Sequence, residues 1–156
     1  MKNLSYFKEM VGVFASAPLF TKYVQLPTPA DLPAQALHYM KLGRYFNHAL
    51  GAIDGSHIHF APPAKERLAY RNRKGFVSQN CLFVCLFTLL FTYVLTGWEG
   101  SATDARIWAD AIAHDLIIPE GWYLLADAGF PHCKQLLVPY RGVRYHLAEW
   151  GRIRLR

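Results

Sequence analysis

A run of apolar residues in the middle of the chain limits the folds that it can adopt. Residues Cys81–Leu95 contain no charged side chain, but the run is shorter than the ~20 residues that cross a membrane as a helix. Extending it to Val77–Trp98 reaches that length and adds several polar residues. Because β-branched and aromatic residues favour strands, we predict a hairpin of two strands, Phe76–Phe87 and Phe91–Thr96. A small membrane protein built around the same run is the alternative.

Shorter patterns around this hairpin predict a mixed α/β domain. Gly51–Phe60 is short and rich in β-forming residues, and two prolines follow it, which indicates a strand that runs into a loop. Apolar residues at helical spacing predict a helix over Thr103–His114, and Ser101 with Asp104 resembles the capping pair of a helix start. The remaining predictions are a loop at Gly97–Gly100, a buried strand at Trp122–Ala126 and a short helix between Pro131 and Pro139.

The first part of the chain carries a weaker pattern. Its scattered apolar positions suit a helix around Phe7–Phe14, and the prolines Pro27, Pro29 and Pro33 then indicate a linker. A chain of 156 residues most simply holds one domain. We therefore divide the chain into an N-terminal helical and linker segment, residues 1–43, and a folded domain, residues 44–156.

The basic residues are concentrated in two places. The net charge is +6 with neutral histidines, which suits a polyanionic partner without requiring one. One group is Arg67, Arg71, Arg73 and Lys74, and the other is Arg141, Arg144, Arg152, Arg154 and Arg156. Such clusters are also typical of solvated faces, so charge alone does not assign a function.

The three cysteines favour a reducing compartment. Cys81 and Cys85 lie in the apolar run, where free thiols behave as small hydrophobic groups, and Cys133 leaves the count odd. The chain shows no signal peptide. The spacing fits no zinc site, since no second Cys or His pair follows at ligand distance.

Three aspartates stand at the edges of apolar elements, where an unpaired carboxylate costs stability. Asp54 lies in the first predicted strand, Asp104 in the first turn of the predicted helix, and Asp127 directly after the last predicted strand. Singly, each has a structural explanation: an Asp-Gly turn, a helix N-terminus, and a turn before Ala-Gly. Together, three such carboxylates suit Mg²⁺, which prefers oxygen ligands and, as a pair of ions, assists phosphodiester cleavage.

The two histidines of the first strand are separate from this set. Side chains alternate along a strand, so Asp54 shares a face with Ser56 and Ile58, while His57 and His59 share the other. This geometry argues against a mononuclear site made of Asp54 and both histidines. We expect the histidines to be polar residues near the surface, with metal ligation as the alternative.

Five motifs resemble those of the Harbinger-type DDE transposase and endonuclease family. They are Gly51–Ile58 around Asp54, Tyr70–Gly75 followed by Ser78–Asn80, Gly97–Arg106 around Asp104, Leu124–Pro131 around Asp127, and the proline-tyrosine signature in Leu137–Tyr140. The motifs follow the family's order over residues 44–140. Several motifs in order are more specific than any one of them.

This resemblance implies an RNase H-like α/β fold, a mixed sheet flanked by helices with the carboxylates gathered at one end. It also implies a divalent cation, Mg²⁺ or Mn²⁺, DNA as substrate, a nuclear location and no membrane, with a separate DNA-binding protein as a further partner. The positions that match the family's catalytic, metal-binding aspartates are Asp54, Asp104 and Asp127. Candidates for DNA phosphate contacts, which give affinity without sequence readout, are Arg71, Arg73 and Lys74.

The sequence departs from the family pattern in three places. The family's final metal-binding glutamate, in an Ile-Glu motif downstream of the proline-tyrosine signature, has no match before Arg156, and Glu149 lies outside such a motif. Phe87–Phe91 replaces a polar turn, and residues 1–43 show no helix-turn-helix. We therefore expect a catalytic domain incomplete at its C-terminus, weak or inactive on DNA phosphodiester bonds. The alternative is a non-catalytic DNA- or protein-binding remnant of a transposase.

Overall fold

The computed structural model describes residues 2–27 and 45–142 of the chain. Predictions that concern Pro29, Pro33, Glu149 and the last four arginines therefore concern residues outside these ranges. The elements within them are α1 (Lys2–Phe14), α2 (Leu19–Tyr23), β1 (Ala49–His59), a 3₁₀ turn (Ala64–Glu66), β2 (Ser78–Leu86), β3 (Phe91–Glu99), α3 (Asp104–His114), β4 (Tyr123–Leu125) and β5 (Leu136–Leu137). The helix predicted around Phe7–Phe14 is confirmed and begins five residues earlier, at Lys2.

The strands form one mixed sheet in the order β3-β2-β1-β4-β5. The first three strands are antiparallel neighbours, while β4 runs parallel to β1, and β5 parallel to β4. A hairpin turn joins β2 to β3, and the chain returns to the parallel pair through α3. The predicted α/β class is confirmed, and this mixed sheet is the RNase H-like arrangement that the resemblance implies.

Helix α3 covers one face of the sheet. Its buried residues are Ile107, Trp108 and Ala111, whose spacing places them on a single side of a helix. They pack with inward-facing residues of the central strands, such as Ile53 and Val84, which lie opposite each other on β1 and β2. This burial fixes the position of the helix start, and thus of Asp104, over the sheet.

The uncharged central run forms β2 and β3, as predicted. Their side chains alternate, because Leu82, Val84 and Leu86 are buried while Phe83 and Cys85 are only partly so. Among the residues that the structure describes, no helix combines the length and the apolar character needed to cross a membrane. All three cysteines are free thiols.

Two predicted connections are wrong. Gly97–Gly100 is not a separate loop, because β3 continues through Glu99, with Gly97 at a φ of 100° inside the strand. The segment between Pro131 and Pro139 contains β5 instead of a helix. Its backbone pairs with β4 as a parallel strand. Leu124 N donates to Gln135 O at 2.9 Å, and Ala126 N donates to Leu137 O at 3.0 Å.

The start of α3 also differs from the prediction. The residue that caps the helix is Thr103 and not Ser101, since the Thr103 hydroxyl accepts from Arg106 N at 3.4 Å. Thr103 has the extended backbone that precedes a helix, which suits an N-cap. Asp104 is then the first helical residue, where a negative charge interacts favourably with the helix dipole.

Candidate active site

Asp54 lies within β1 and not in a turn. Its Cα partner on β2 is Phe83, so the Asp-Gly turn considered from the sequence is wrong. Asp54, Ser56 and Ile58 line one side of a shallow groove of about 340 Å³ with Phe83 and Phe91, which confirms the predicted alternation. The Asp54 carboxylate also accepts from Gly55 N at 2.8 Å.

Asp104 lies on the opposite face of β1. Its carboxylate stands directly over Gly55, so close that a Cβ on that glycine would overlap with Oδ1. Adjacent strand residues point to opposite faces, so Asp54 and Asp104 are on two sides of the same strand. Glycine at position 55 therefore allows the Asp104 side chain to approach the strand closely, and it does not form a turn.

Asp127 lies just past the end of β4, the parallel neighbour of β1. Its Oδ1 accepts from Gly129 N at 2.8 Å, so it shapes the turn that the sequence suggested. A Cβ on Gly129 would lie 2.9 Å from Asp127 Oδ1 and 3.0 Å from Asp104 Oδ2. The structure thus brings Asp104 and Asp127 together around this second glycine.

The pKa of the Asp54 carboxylate responds to its surroundings. The pKa of Asp54 is raised, first by partial burial and then by the negative charges of Asp127 and Asp104, while the bond from Gly55 N lowers it. In the described part of the chain, however, no three His, Cys, Asp or Glu side chains are grouped closely enough to hold one metal ion. The placement of Asp54 across the strand from Asp104 explains this separation.

The donor chemistry nevertheless fits Mg²⁺ or Mn²⁺. All three side chains offer carboxylate oxygens, the ligands of hard cations, and Mg²⁺ usually takes only one or two protein carboxylates. Where neighbouring carboxylates raise the pKa of another carboxylate, a bound cation stabilises the charged forms by offsetting the repulsion. Asp104 with Asp127 is the pair that the structure brings closest to a binding arrangement.

Asn80 is a site residue that the sequence analysis named only as the end of a motif, with no role of its own. Its side chain is 1% exposed on β2, and Nδ2 donates to Asp104 Oδ1 at 3.2 Å and to Ala102 O at 3.1 Å. A signal was present in the sequence, because Asn80 shares the inward face of a predicted apolar strand with Leu82. Buried amides need hydrogen-bond partners, and the partner in this case is the aspartate of a different element.

The histidines of β1 make contacts away from the carboxylates. His57 Nδ1 is 3.1 Å from Ser78 Oγ, and the His59 ring lies 4.8 Å from the ring of Phe76. Both residues are exposed at the far end of β1. These contacts suit the expected role of polar surface residues.

The basic segment, residues 71–74, forms an exposed turn around a buried asparagine. Arg71, Arg73 and Lys74 are exposed, whereas Asn72 between them is 5% exposed. Asn72 accepts from Lys74 N at 2.9 Å through Oδ1 and donates to Ser78 Oγ at 3.1 Å. The asparagine thus holds the turn, and the Arg71 guanidinium supports it by donating to Gly75 O at 2.7 Å, while Arg73 and Lys74 are exposed.

Two contacts connect the surroundings of basic residues to α3 and to the Asp127 turn. Ser101 N donates to Ala69 O at 3.2 Å, which joins the residues just before the basic turn to the turn before α3. Arg141 donates through Nε to Ala128 O at 3.2 Å, directly after Asp127. Arg141 was noted in the sequence only as one of the C-terminal arginines, and the structure places its guanidinium against the Asp127 turn.

Comparison with known proteins assigns the chain to a family. The family model for DDE superfamily endonucleases matches residues 53–152. The rat protein named "Putative nuclease HARBI1" is 34% identical over 93 residues, 58% of this chain and 27% of its own length. The human protein of the same name is 40% identical over 58 residues, 37% of this chain and 17% of its own length. No solved structure matches.

The chain therefore belongs to the DDE superfamily endonucleases of the Harbinger type. The matched part covers only 27% of the rat protein and 17% of the human protein. The matched region contains Asp54, Asp104 and Asp127. Proteins of this family generally use divalent metal ions, in agreement with the oxygen donors of the three aspartates.

Proposed function

We propose that this chain is a divalent-metal-dependent nuclease or transposase domain that acts on DNA phosphodiester bonds. The observation that carries the proposal is the convergence of two carboxylates, since Asp104 Oδ2 and Asp127 Oδ1 both lie within about 3 Å of one point at Gly129. Asp54 is close enough for their charges to raise its pKa. Carboxylates whose charges raise the pKa of a neighbouring carboxylate suit a hard cation, which prefers oxygen ligands.

The roles of the residues follow from their positions. Asp104 and Asp127 would hold the cation, and Asp54 would contribute a further carboxylate from the neighbouring strand. The bound ions supply the polarisation that activates a water and stabilises the leaving oxygen. The protein's own contribution is to fix the carboxylates before substrate arrives, which avoids reorganisation during the reaction.

DNA as the substrate is supported by a group of exposed basic side chains. Arg71, Arg73 and Lys74 are exposed, and one backbone hydrogen bond links Ala69, shortly before them, to Ser101 in the turn before α3. Such residues neutralise phosphates without reading bases. A nuclear location and a separate DNA-binding partner protein belong to the same proposal, which follows the family.

We further propose that this stretch of chain cleaves DNA weakly or not at all. No match to the family's closing glutamate motif occurs in the 156 residues, and one carboxylate fewer weakens both metal binding and charge stabilisation. The second candidate function is a non-catalytic DNA- or protein-binding remnant. It is favoured by the separation of Asp54 from Asp104 across β1.

Titration with Mn²⁺ by calorimetry tests the metal site. We expect wild-type protein to bind Mn²⁺, and Asp54→Asn and Asp127→Asn each to weaken binding by about tenfold or more. Glu120→Gln removes an exposed carboxylate elsewhere and should leave binding unchanged, which controls for net charge. Equal binding by wild type and Asp127→Asn would refute the site.

A nicking assay tests the proposed weak activity. Purified wild-type protein with Mg²⁺ and supercoiled plasmid should give little or no nicked product. Efficient nicking that Asp54→Ala abolishes would show that the three aspartates suffice, and would contradict the proposed weak activity. No nicking together with Mn²⁺-independent DNA binding would favour the remnant.

A further inference from the structure

Asn80 connects two elements at the carboxylate site. Its amide nitrogen donates to Ala102 O at 3.1 Å, in the turn before α3, and to Asp104 Oδ1 at 3.2 Å. The two acceptors determine which way the amide faces, because the reversed amide would set its oxygen against both of them. Strand β2 thereby holds the Asp104 carboxylate at a defined place.

The other end of the same amide lacks a partner. Asn80 Oδ1 is buried and has no hydrogen-bond partner among the described residues. It lies 3.3 Å from the point where a Cβ of Gly55 would stand, the same point that Asp104 Oδ1 crowds. A buried unpartnered carbonyl costs about 1–3 kcal/mol, so the fold holds this amide in place at a loss of stability.

Nearby Asn72 shows what a structural asparagine looks like in this molecule. It is similarly buried, but both ends of its amide are used, since Oδ1 accepts from Lys74 N at 2.9 Å and Nδ2 donates to Ser78 Oγ at 3.1 Å. These partners belong to the basic turn and to the start of β2, so Asn72 organises a turn away from the three aspartates. Asn80 instead donates to one of those aspartates and to Ala102 O, and its own oxygen has no partner among the described residues.

We propose that Asn80 is a positioning residue for the metal site, whose amide holds the Asp104 carboxylate over Gly55 and beside Asp127. The inference rests on the proposed metal-binding function and adds a residue to it. Loss of a group that orients a ligating carboxylate through a hydrogen bond typically weakens metal affinity by about 10- to 100-fold. A purely structural asparagine would change stability without changing affinity.

Calorimetric Mn²⁺ titration of folded variants separates these roles. Asn80→Ala should bind Mn²⁺ about 10-fold more weakly than wild type, and Asn80→Ser, whose hydroxyl is too short to reach Asp104, should do the same. Asn72→Ala is the matched control, and its affinity should stay within about twofold of wild type. Affinity of both Asn80 variants equal to that of wild type would overturn the inference and leave the metal site intact.

A second measurement needs no substitution. In a ¹⁵N–¹H spectrum of wild-type protein, addition of Mg²⁺ should shift the side-chain amide signals of Asn80 and leave those of Asn72 in place. Mg²⁺ binding without movement of the Asn80 signals would refute the positioning role even if the variants fail to fold. Absence of any Mn²⁺ or Mg²⁺ binding by wild type would instead sink the proposed function, and this inference with it.

Discussion

The carboxylate of Asp104, at the start of α3, lies directly over Gly55 of β1, with no room for a methyl group between them. This contact joins the start of α3 to the middle strand of the sheet. It depends on a glycine in the interior of a strand, where glycine is otherwise unfavourable. The absence of a side chain at residue 55 is therefore part of the site.

Two alanine substitutions on β1 should separate metal affinity from stability. In Gly55→Ala, the methyl group displaces the flexible Asp104 side chain, so we expect Mn²⁺ affinity to fall by about tenfold for a stability loss of about 1 kcal/mol. In Gly51→Ala, the methyl group meets the Cys85 backbone, so stability should fall by about 1–3 kcal/mol with affinity unchanged. Calorimetry and urea unfolding of both variants measure the two effects, and equal loss of affinity would refute the assignment.

The basic turn should contribute to DNA affinity through phosphate contacts alone. Arg73→Ala and Lys74→Ala should each weaken binding to duplexes of different sequence by the same factor. Each should also reduce the slope of log K against log salt by about 0.9 if it removes one phosphate contact. Fluorescence anisotropy at several salt concentrations measures the slope, with Lys8→Ala on α1 as a control of equal charge change. An unchanged slope in both turn variants would exclude a role in phosphate binding.

The corrected helix cap gives a prediction about stability. Thr103→Ala removes the hydroxyl that accepts from Arg106 N and should lower the free energy of unfolding by about 0.5–1 kcal/mol. Ser101→Ala changes an exposed residue that does not cap the helix, so its effect should stay within about 0.5 kcal/mol. Urea unfolding distinguishes the two, and a larger loss in Ser101→Ala would restore the original prediction.

Tyr93 should make stability depend on pH in alkaline solution. Its hydroxyl donates to Asp115 Oδ1 at 2.6 Å, and burial first, then the hydrogen bond and charge of Asp115, raise its pKa well above the usual tyrosine value. A raised folded-state pKa stabilises the protein fully below the unfolded-state pKa of about 10, and this contribution is lost as pH rises further.

Comparison with a phenylalanine variant isolates this effect. At pH 7, Tyr93→Phe should be less stable than wild type by about 1–2 kcal/mol, because a hydrogen bond to a charged group is lost. Above pH 10 the difference should shrink by up to about 1.4 kcal/mol per pH unit. Urea unfolding between pH 7 and 11 measures it, and a difference that stays constant would contradict the assignment.

Several elements were predictable because their pattern is local. The uncharged run predicted β2 and β3, and the spacing of Ile107, Trp108 and Ala111 predicted α3, since burial on one face leaves a periodic trace in the sequence. The short helix predicted between Pro131 and Pro139 was wrong because the strand found there, β5, has no local pattern. A two-residue strand carries almost no pattern of its own, and pairing with β4 decides its structure.

The sequence by itself determined the family, the α/β class and the three candidate aspartates, because motif order and hydrophobic periodicity are visible in the linear sequence. Only the tertiary structure decided how the acidic residues relate. The packing of α3 on the sheet set Asp104 over Gly55 and beside Asp127. Asp54 lies on the other face of β1, because neighbouring residues of a strand point to opposite faces. The roles of Gly55 and Asn80 arise from that same packing, in which contacts join residues far apart in sequence.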